Sequence, residues 1–327
     1  MPARLAGYEV TGEACLAPTQ IRRLIPMSAQ ADSVKSILYA LGANFAIALA
    51  KSAGAFYTGS ASMLAEAIHS FADCGNQALL LYGLKSAKQA PSPDFPLGYG
   101  KAIYFWSFIV ALILFSMGGL FSIYEGVHKL SATDILSAPW VAVAILVFGI
   151  VAESFSLYGC LREVNKVRAS RTLWRWFRDS RQSELIVILG EDIAALFGLV
   201  FALSAILLTV VTGNPVFDAL GSIAIGALLI MVAIGIGVEV KDLLIGQSVE
   251  ESEREAIRGF IAGQREVARV FNVITLQLGK EIMVAVKAEI RETDGRRMIV
   301  QINAVEKRLR ERFPAVRWIF FEPDVAD

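Results

Sequence analysis

Apolar residues in this chain gather into six long blocks separated by short polar segments. The blocks run from about Ser36 to Tyr57, Ser60 to Leu84, Ile103 to Leu130, Ala138 to Leu161, Glu184 to Thr212 and Val216 to Leu244. Each is near the roughly 20 residues that an α-helix needs to cross a bilayer. The centres of blocks one, three, four and six are nearly free of charge, whereas blocks two and five carry acidic residues. Beyond Leu244 the pattern changes. Glu250 to Ala262 reads as a helix, and Val270 to Leu278 and Ile282 to Ile290 read as strands around the turn Gly279-Lys280. Arg296 to Arg312 has helical spacing, with Ile299, Ile302, Val305 and Leu309 on one face. Val316 to Phe321 is a last strand, ended by Pro323. The expected fold is an α-helical membrane protein: a six-transmembrane-helix bundle with a small C-terminal α+β domain of order αββαβ. The expected division is an N-terminal cytoplasmic tail (1–32), a six-helix transmembrane domain (33–246) and a cytoplasmic αββαβ domain (247–327).

Composition agrees with a membrane chain. Apolar residues make up 55% of the 327, and mean hydropathy is +0.54, against roughly 45–50% apolar in soluble domains. Lys and Arg total 31, as do Asp and Glu, so net charge gives no reason to expect nucleic acid as a partner. The placement of charge is more informative. The loops after blocks one, three and five (Thr58-Gly59, 131–137 and Gly213-Asn214-Pro215) carry almost no basic residues. The other side holds Arg22, Arg23, Lys35, Lys85, Lys88 and Lys101, and a loop with Arg162, Lys166, Arg168, Arg171, Arg175, Arg178 and Arg181. Basic residues accumulate in cytoplasmic loops, which puts both termini in the cytoplasm and requires an even number of spans. In that loop Trp174, Trp176 and Phe177 alternate with arginine, as aromatics at the headgroup level and arginines on anionic lipid would, so membrane lipid is an expected partner. Cys15, Cys74 and Cys160 are scattered and form no disulfide framework or zinc-thiolate motif. The first 30 residues show no apolar core of a signal peptide.

Candidate chemistry lies in blocks two and five. Block two carries Glu66, His69, Asp73 and Asn76, spaced three, four and three apart and so on one helical face. His69 and Asp73 stand one turn apart and can grip one ion. Block five carries Glu191 and Asp192 well inside its cytoplasmic end, about 100° apart around the helix. A carboxylate at the bilayer centre costs roughly 2.5–3.5 kcal/mol on insertion scales, so a partner, a water path or an ion must compensate it. A purely structural cluster of interhelical hydrogen bonds is the other reading. Asp218 reads as a cap for its own helix. There is no phosphate loop, nucleophile-base pair or cofactor motif, so an enzyme and a prosthetic group are not expected.

At these residues the chain resembles the cation diffusion facilitator family, from about residue 33 to its end. HSFAD at 69–73 is similar to the HxxxD motif of span two, and EDIAALFG at 191–198 to the metal motif of span five. FDALGSIAIGALLI at 217–230 resembles the span-six pattern. FPLGYGK at 95–101 resembles the loop after span two. LLIGQSV at 243–249 and FEP at 321–323 resemble the two ends of the cytoplasmic domain. The resemblance implies a homodimeric divalent metal/proton antiporter with a ferredoxin-like cytoplasmic domain. The adjacent Glu191 points to the branch around zinc transporter nine. The chain departs from the family pattern in three ways. Ile188 stands where a ligand usually precedes Asp192 by four residues, Phe95 replaces a loop histidine, and residues 247–327 contain no histidine.

These readings combine into one expectation. The metal residues are His69, Asp73 and Asp192, assisted by Glu191, and the transported ion is Zn²⁺ first, with Mn²⁺, Fe²⁺ or Co²⁺ as alternatives. Protons compete with metal for the same groups and drive exchange. The expected location is a bacterial inner membrane. The rival readings are a non-transporting membrane scaffold, favoured by Ile188, and a channel.

Overall fold

The computed structural model describes residues 30–130, 138–168 and 170–326, with the backbone alone for 30–40 and 43. Almost all of the expected N-terminal tail, Cys15 and the loop 131–137 lie outside the described residues. The apolar blocks are helices: α1 (Gln30–Thr58), α2 (Ala61–Ser86), α3 (Ala102–Ile113) running through a π-helical segment (Leu114–Leu120) into α4 (Phe121–Lys129), and α5 (Pro139–Val167). After a short α6 (Leu173–Asp179) come α7 (Ser183–Thr212) and α8 (Val216–Ile245). A helix satisfies its own backbone N–H and C=O groups, which lipid cannot do. Local signals set the ends. The Ser60 hydroxyl accepts from the Met63 N–H at the start of α2, Pro139 opens α5, and Gly213 closes α7 at φ 69°.

Four of these helical stretches are long and apolar enough to cross a membrane: Ala102–Lys129, Pro139–Val167, Ser183–Thr212 and Val216–Ile245. They leave large apolar side chains outside, among them Phe155 (74% exposed) and Val211 (83%). Soluble monomers rarely expose continuous apolar surface on this scale, and this is a helical membrane protein. α1 and α2 are not among the four. In α2 the buried Glu66, His69, Asp73 and Asn76 dilute the apolar stretch. Leu114, Leu199, Ile225, Leu229 and Ile236 sit in the core of the bundle. The contact of α8 with the π-helical segment and α4 is backbone to backbone: a Cβ on Gly226 would stand 2.6 Å from the Gly119 carbonyl, and one on Gly126 2.7 Å from that of Ala219. Small residues allow this approach where lipid supplies no hydrophobic drive between helices.

The basic aromatic loop differs from its sequence reading. Residues 173–179 form α6, whose N-terminus Thr172 caps by accepting from the Arg175 N–H. Trp176 is fully buried with Cys160, Val164, Ile186 and Leu189, so it packs α6 onto α5 and α7 rather than meeting headgroups. Trp174 remains exposed and stacks on Phe177.

The C-terminal part has the order α9 (Glu251–Ala262), β1 (Val267–Leu278), β2 (Glu281–Ile290), α10 (Gly295–Arg312) and β3 (Val316–Pro323). Its sheet runs β1-β2-β3, with β1 antiparallel and β3 parallel to β2. A parallel neighbour needs a crossover, and α10 supplies it. Ile282, Val284, Val286, Ala288 and Ile290 alternate along β2 toward one face, where they form a core with Ile257, Ile261, Ile302 and Leu309. Ile299 is exposed, against expectation. At 100° per residue it lies about 90° from the mean direction of Ile302, Val305 and Leu309, off the edge of that face. The other face of the sheet carries Ile274, Ala285 and Phe320 in register, and Ile274 and Phe320 are more than half exposed. The β1–β2 turn touches the bundle. Gly279 (φ 65°) donates its N–H to the Tyr104 hydroxyl at 3.0 Å, and a Cβ there would stand 2.6 Å from the Gly100 carbonyl.

Candidate metal centre

The site rests on how α2 is held. Asp218 does not cap its own helix. Its buried carboxylate accepts from the Ala61 N–H (2.6 Å), the Ser62 N–H (3.3 Å), the Ser60 hydroxyl (2.7 Å) and the Ser62 hydroxyl (2.5 Å). It therefore caps α2 from α8, placing a negative charge at the positive end of that helix. Along α2, Glu66, His69, Asp73 and Asn76 are all buried, as their common face requires.

Glu66 has a partner that the block pattern hides. Lys51 of α1 donates to Glu66 Oε2 at 3.1 Å and to the Ser70 hydroxyl at 2.8 Å, with both charged side chains essentially out of solvent. Glu66 Oε1 packs against Gly198, where a Cβ would collide with it. The motif glycine thus makes room for a carboxylate. Block one is not charge-free where it matters, and neither is block four: Glu153 lies deep in α5 and is 9% exposed. A lone charge inside an otherwise apolar helix is itself the signal for both residues.

The remaining groups converge on a cavity of about 20 Å³ lined by Asn44 of α1, Asp73 and Gln77 of α2, Glu153 of α5, and Glu191 and Asp192 of α7. That is room for about one water-sized occupant. Asn76 donates to Glu191 Oε1 at 2.5 Å and Ser156 to Asp192 Oδ1 at 3.2 Å. Among the described residues Asp73 Oδ1 and Asp192 Oδ2 have no hydrogen-bond partner. Ile188 lines the same cavity.

Of the four residues expected to hold metal, Asp73, Glu191 and Asp192 share this space. His69 does not line it. Its Nδ1 lies 3.5 Å from Asp73 Oδ1, and neither ring nitrogen has a hydrogen-bond partner among the described residues. Among the described residues no three His, Cys, Asp or Glu side chains stand close enough together to grip one ion. The arrangement can take up a cation only if side chains or helices close on it.

Residues 37–245 match the family described as the cation efflux transmembrane domain. The chain is 34% identical over 254 residues to the proton-coupled zinc antiporter SLC30A9, mitochondrial, of Xenopus laevis, covering 77% of this chain and 45% of that protein. The Homo sapiens protein of the same name is 33% identical over 254 residues, 77% of this chain and 44% of its own length. Metal tolerance protein C4 of Arabidopsis thaliana is 32% identical over 286 residues, 86% of this chain and 61% of that protein. The chain thus spans less than two thirds of the length of these relatives. Their names describe transport and metal tolerance, not catalysis. The chain belongs to the cation diffusion facilitator family of cation efflux transporters, in its zinc transporter nine-like branch.

Proposed function

We propose that the chain exports a divalent metal ion, Zn²⁺ in the first place, in exchange for protons. The observation that carries this reading is the cavity between α1, α2, α5 and α7, with unpartnered oxygens of Asp73 and Asp192 at its wall. Asp73 and Asp192, helped by Glu191, take the ion, and His69 joins from its place beside Asp73 as α2 and α7 close. One nitrogen with two or three oxygens suits Zn²⁺ at about 2.0–2.2 Å. Mn²⁺, Fe²⁺ and Co²⁺ are the alternatives. Metal needs neutral imidazole and ionised carboxylates, so a proton arriving from the far side releases it, and alternating access couples the two flows.

The same reading takes α1 and α2 through the bilayer, making six spans. Their polar side chains Lys51, Glu66, His69 and Asn76 turn inward, out of reach of lipid. Both termini then lie on the basic, cytoplasmic side, with residues 247–327 as a ferredoxin-like domain. Its uncovered sheet face, with Ile274 and Phe320, meets a second copy of the chain to form a homodimer.

Ile188, lining the cavity without a donor atom, favours the rival reading of a scaffold that no longer transports. Full-length protein in sealed vesicles with an imposed pH gradient separates the two. Gradient-dependent Zn²⁺ movement that Asp73→Asn abolishes supports antiport. No movement by the unaltered chain supports the scaffold.

A further inference from the structure

We propose that Glu153 of α5 is a direct ligand of the transported cation, supplying the donor that Ile188 cannot. The proposal rests on reading the cavity as the cation site. Glu153 lines that cavity together with Asp73, Glu191 and Asp192, and it approaches from a helix that the HxxxD and EDIAALFG motifs do not include. It is nine-tenths buried, and among the described residues no hydrogen bond or ion pair reaches its carboxylate, although Lys51 acts on it electrostatically from farther away. Several of the other buried charges around it have hydrogen-bond partners. Lys51 is held by Glu66 and Ser70, Glu191 by Asn76, and Asp192 by Ser156 through one oxygen.

Charge supplies the second argument. Glu153 is close enough to both Asp73 and Asp192 to act electrostatically on each. Four carboxylates around a space of about 20 Å³ repel one another. Two of them, Asp73 and Asp192, also present buried oxygens without partners. A cation in the middle reverses every one of these unfavourable contacts, whereas a water has too few donors to satisfy them. The alternative, that Glu153 merely balances Lys51, fits the geometry less well. The Lys51 ammonium is committed at 3.1 and 2.8 Å to Glu66 and Ser70 and makes no ion pair with Glu153.

Zn²⁺ binding to the detergent-solubilised full chain, measured by calorimetry, tests this together with X-ray absorption of the bound Zn²⁺. Affinity alone does not suffice, because groups that only orient a ligand already change it by about 10–100-fold. We expect Glu153→Leu to bind Zn²⁺ at least tenfold more weakly and to show one fewer oxygen neighbour around the metal. A loss under tenfold, or a loss with the full set of neighbours retained, overturns the proposal. Asp73→Asn is the control for the cavity. If it binds Zn²⁺ as tightly as the parent, the cavity is not the cation site and the functional reading falls as well. If it binds weakly while Glu153→Leu does not, only the role of Glu153 falls. Should Glu153→Leu fail to fold, Glu153→Ala decides on the same two readouts: a loss of tenfold or more with one fewer oxygen neighbour supports the proposal, and a smaller loss or a full set of neighbours overturns it.

Discussion

Replacing Lys51 by methionine strands Glu66 inside the bundle. The ammonium now donates to Glu66 Oε2 at 3.1 Å and to Ser70 at 2.8 Å, and the two charged side chains are 1% and 0% exposed. Glu66 Oε1 already lacks a hydrogen-bond partner among the described residues. Without Lys51, neither oxygen of Glu66 faces a donor. Breaking a buried pair from one side costs about 3–5 kcal/mol, because an uncompensated charge remains. That is a large share of the roughly 5–15 kcal/mol that holds a domain together. Glu66→Met strands the ammonium instead, with Ser70 as its remaining partner, at a similar cost. Removing both charges removes both desolvation penalties, and such replacements are commonly neutral or stabilising by about 1–4 kcal/mol. The Lys51→Met/Glu66→Met chain should therefore be at least as stable as the parent, although the two single losses sum to about 6–10 kcal/mol. Equilibrium unfolding in mixed micelles, followed by circular dichroism, reads all four corners of the cycle. Single variants within about 1 kcal/mol of the parent, or a double variant as unstable as the sum of the singles, would refute the reasoning.

Asp73→Asn and Asp192→Asn should each abolish proton-driven metal flux in vesicles at normal abundance while holding or raising stability, since each removes a buried charge; undiminished flux in both sinks the assignment. Asp218→Ala should cost about 2–4 kcal/mol in the same unfolding assay, as a lost helix cap plus two hydroxyls left without their acceptor; a change below about 0.5 kcal/mol contradicts the cap. In the C-terminal part, burial pushes the Glu266 carboxyl up, but hydrogen bonds from its own backbone and from Arg308 and Arg265 outweigh burial and hold it below its ordinary 4.5. A group depressed in the folded chain stabilises above its unfolded pKa, so this contribution is complete above about pH 4.5 and fades as the pH falls further. Glu266→Gln should flatten that acid limb of the melting-temperature profile, and an unchanged limb counts against it.

The helices were legible because apolar length and cap residues are local properties. α7 and α8 begin and end within about one residue of the apolar blocks. The strands were legible from alternation, and Ile299 was misplaced only because a residue three positions from a face can still miss it. Partnership was not legible. Nothing local marks Lys51 as facing Glu66 rather than lipid, since the choice depends on how α1 rotates against α2. Asp218 follows Asn214-Pro215 and so resembles a cap for its own helix, yet its donors lie more than 150 residues earlier in the chain. Trp176 looked interfacial because its neighbours are arginines, but a short helix turns it inward. In the candidate site, Asp73, Glu191 and Asp192 were found by the cost of placing carboxylates in lipid. Glu153 obeys the same rule and escaped notice as a single charge in a long apolar block.

The seating of Gly279 against Gly100 makes a knuckle. Two backbones touch with no side chain between them, and the Tyr104 hydroxyl pins the turn to the first residues of α3. No flexible group at the joint can absorb a displacement. The strand leaving it, β1, has 12 residues, which at roughly 3.3 Å each make an arm of about 40 Å. A tilt of about 10° at the joint would carry the far end of that arm through about 7 Å, by simple leverage on that length. The hairpin is thus a pointer that magnifies the attitude of α3, and the end of β1 away from the turn, near Val267, is the place to attach a spectroscopic label for watching the bundle move.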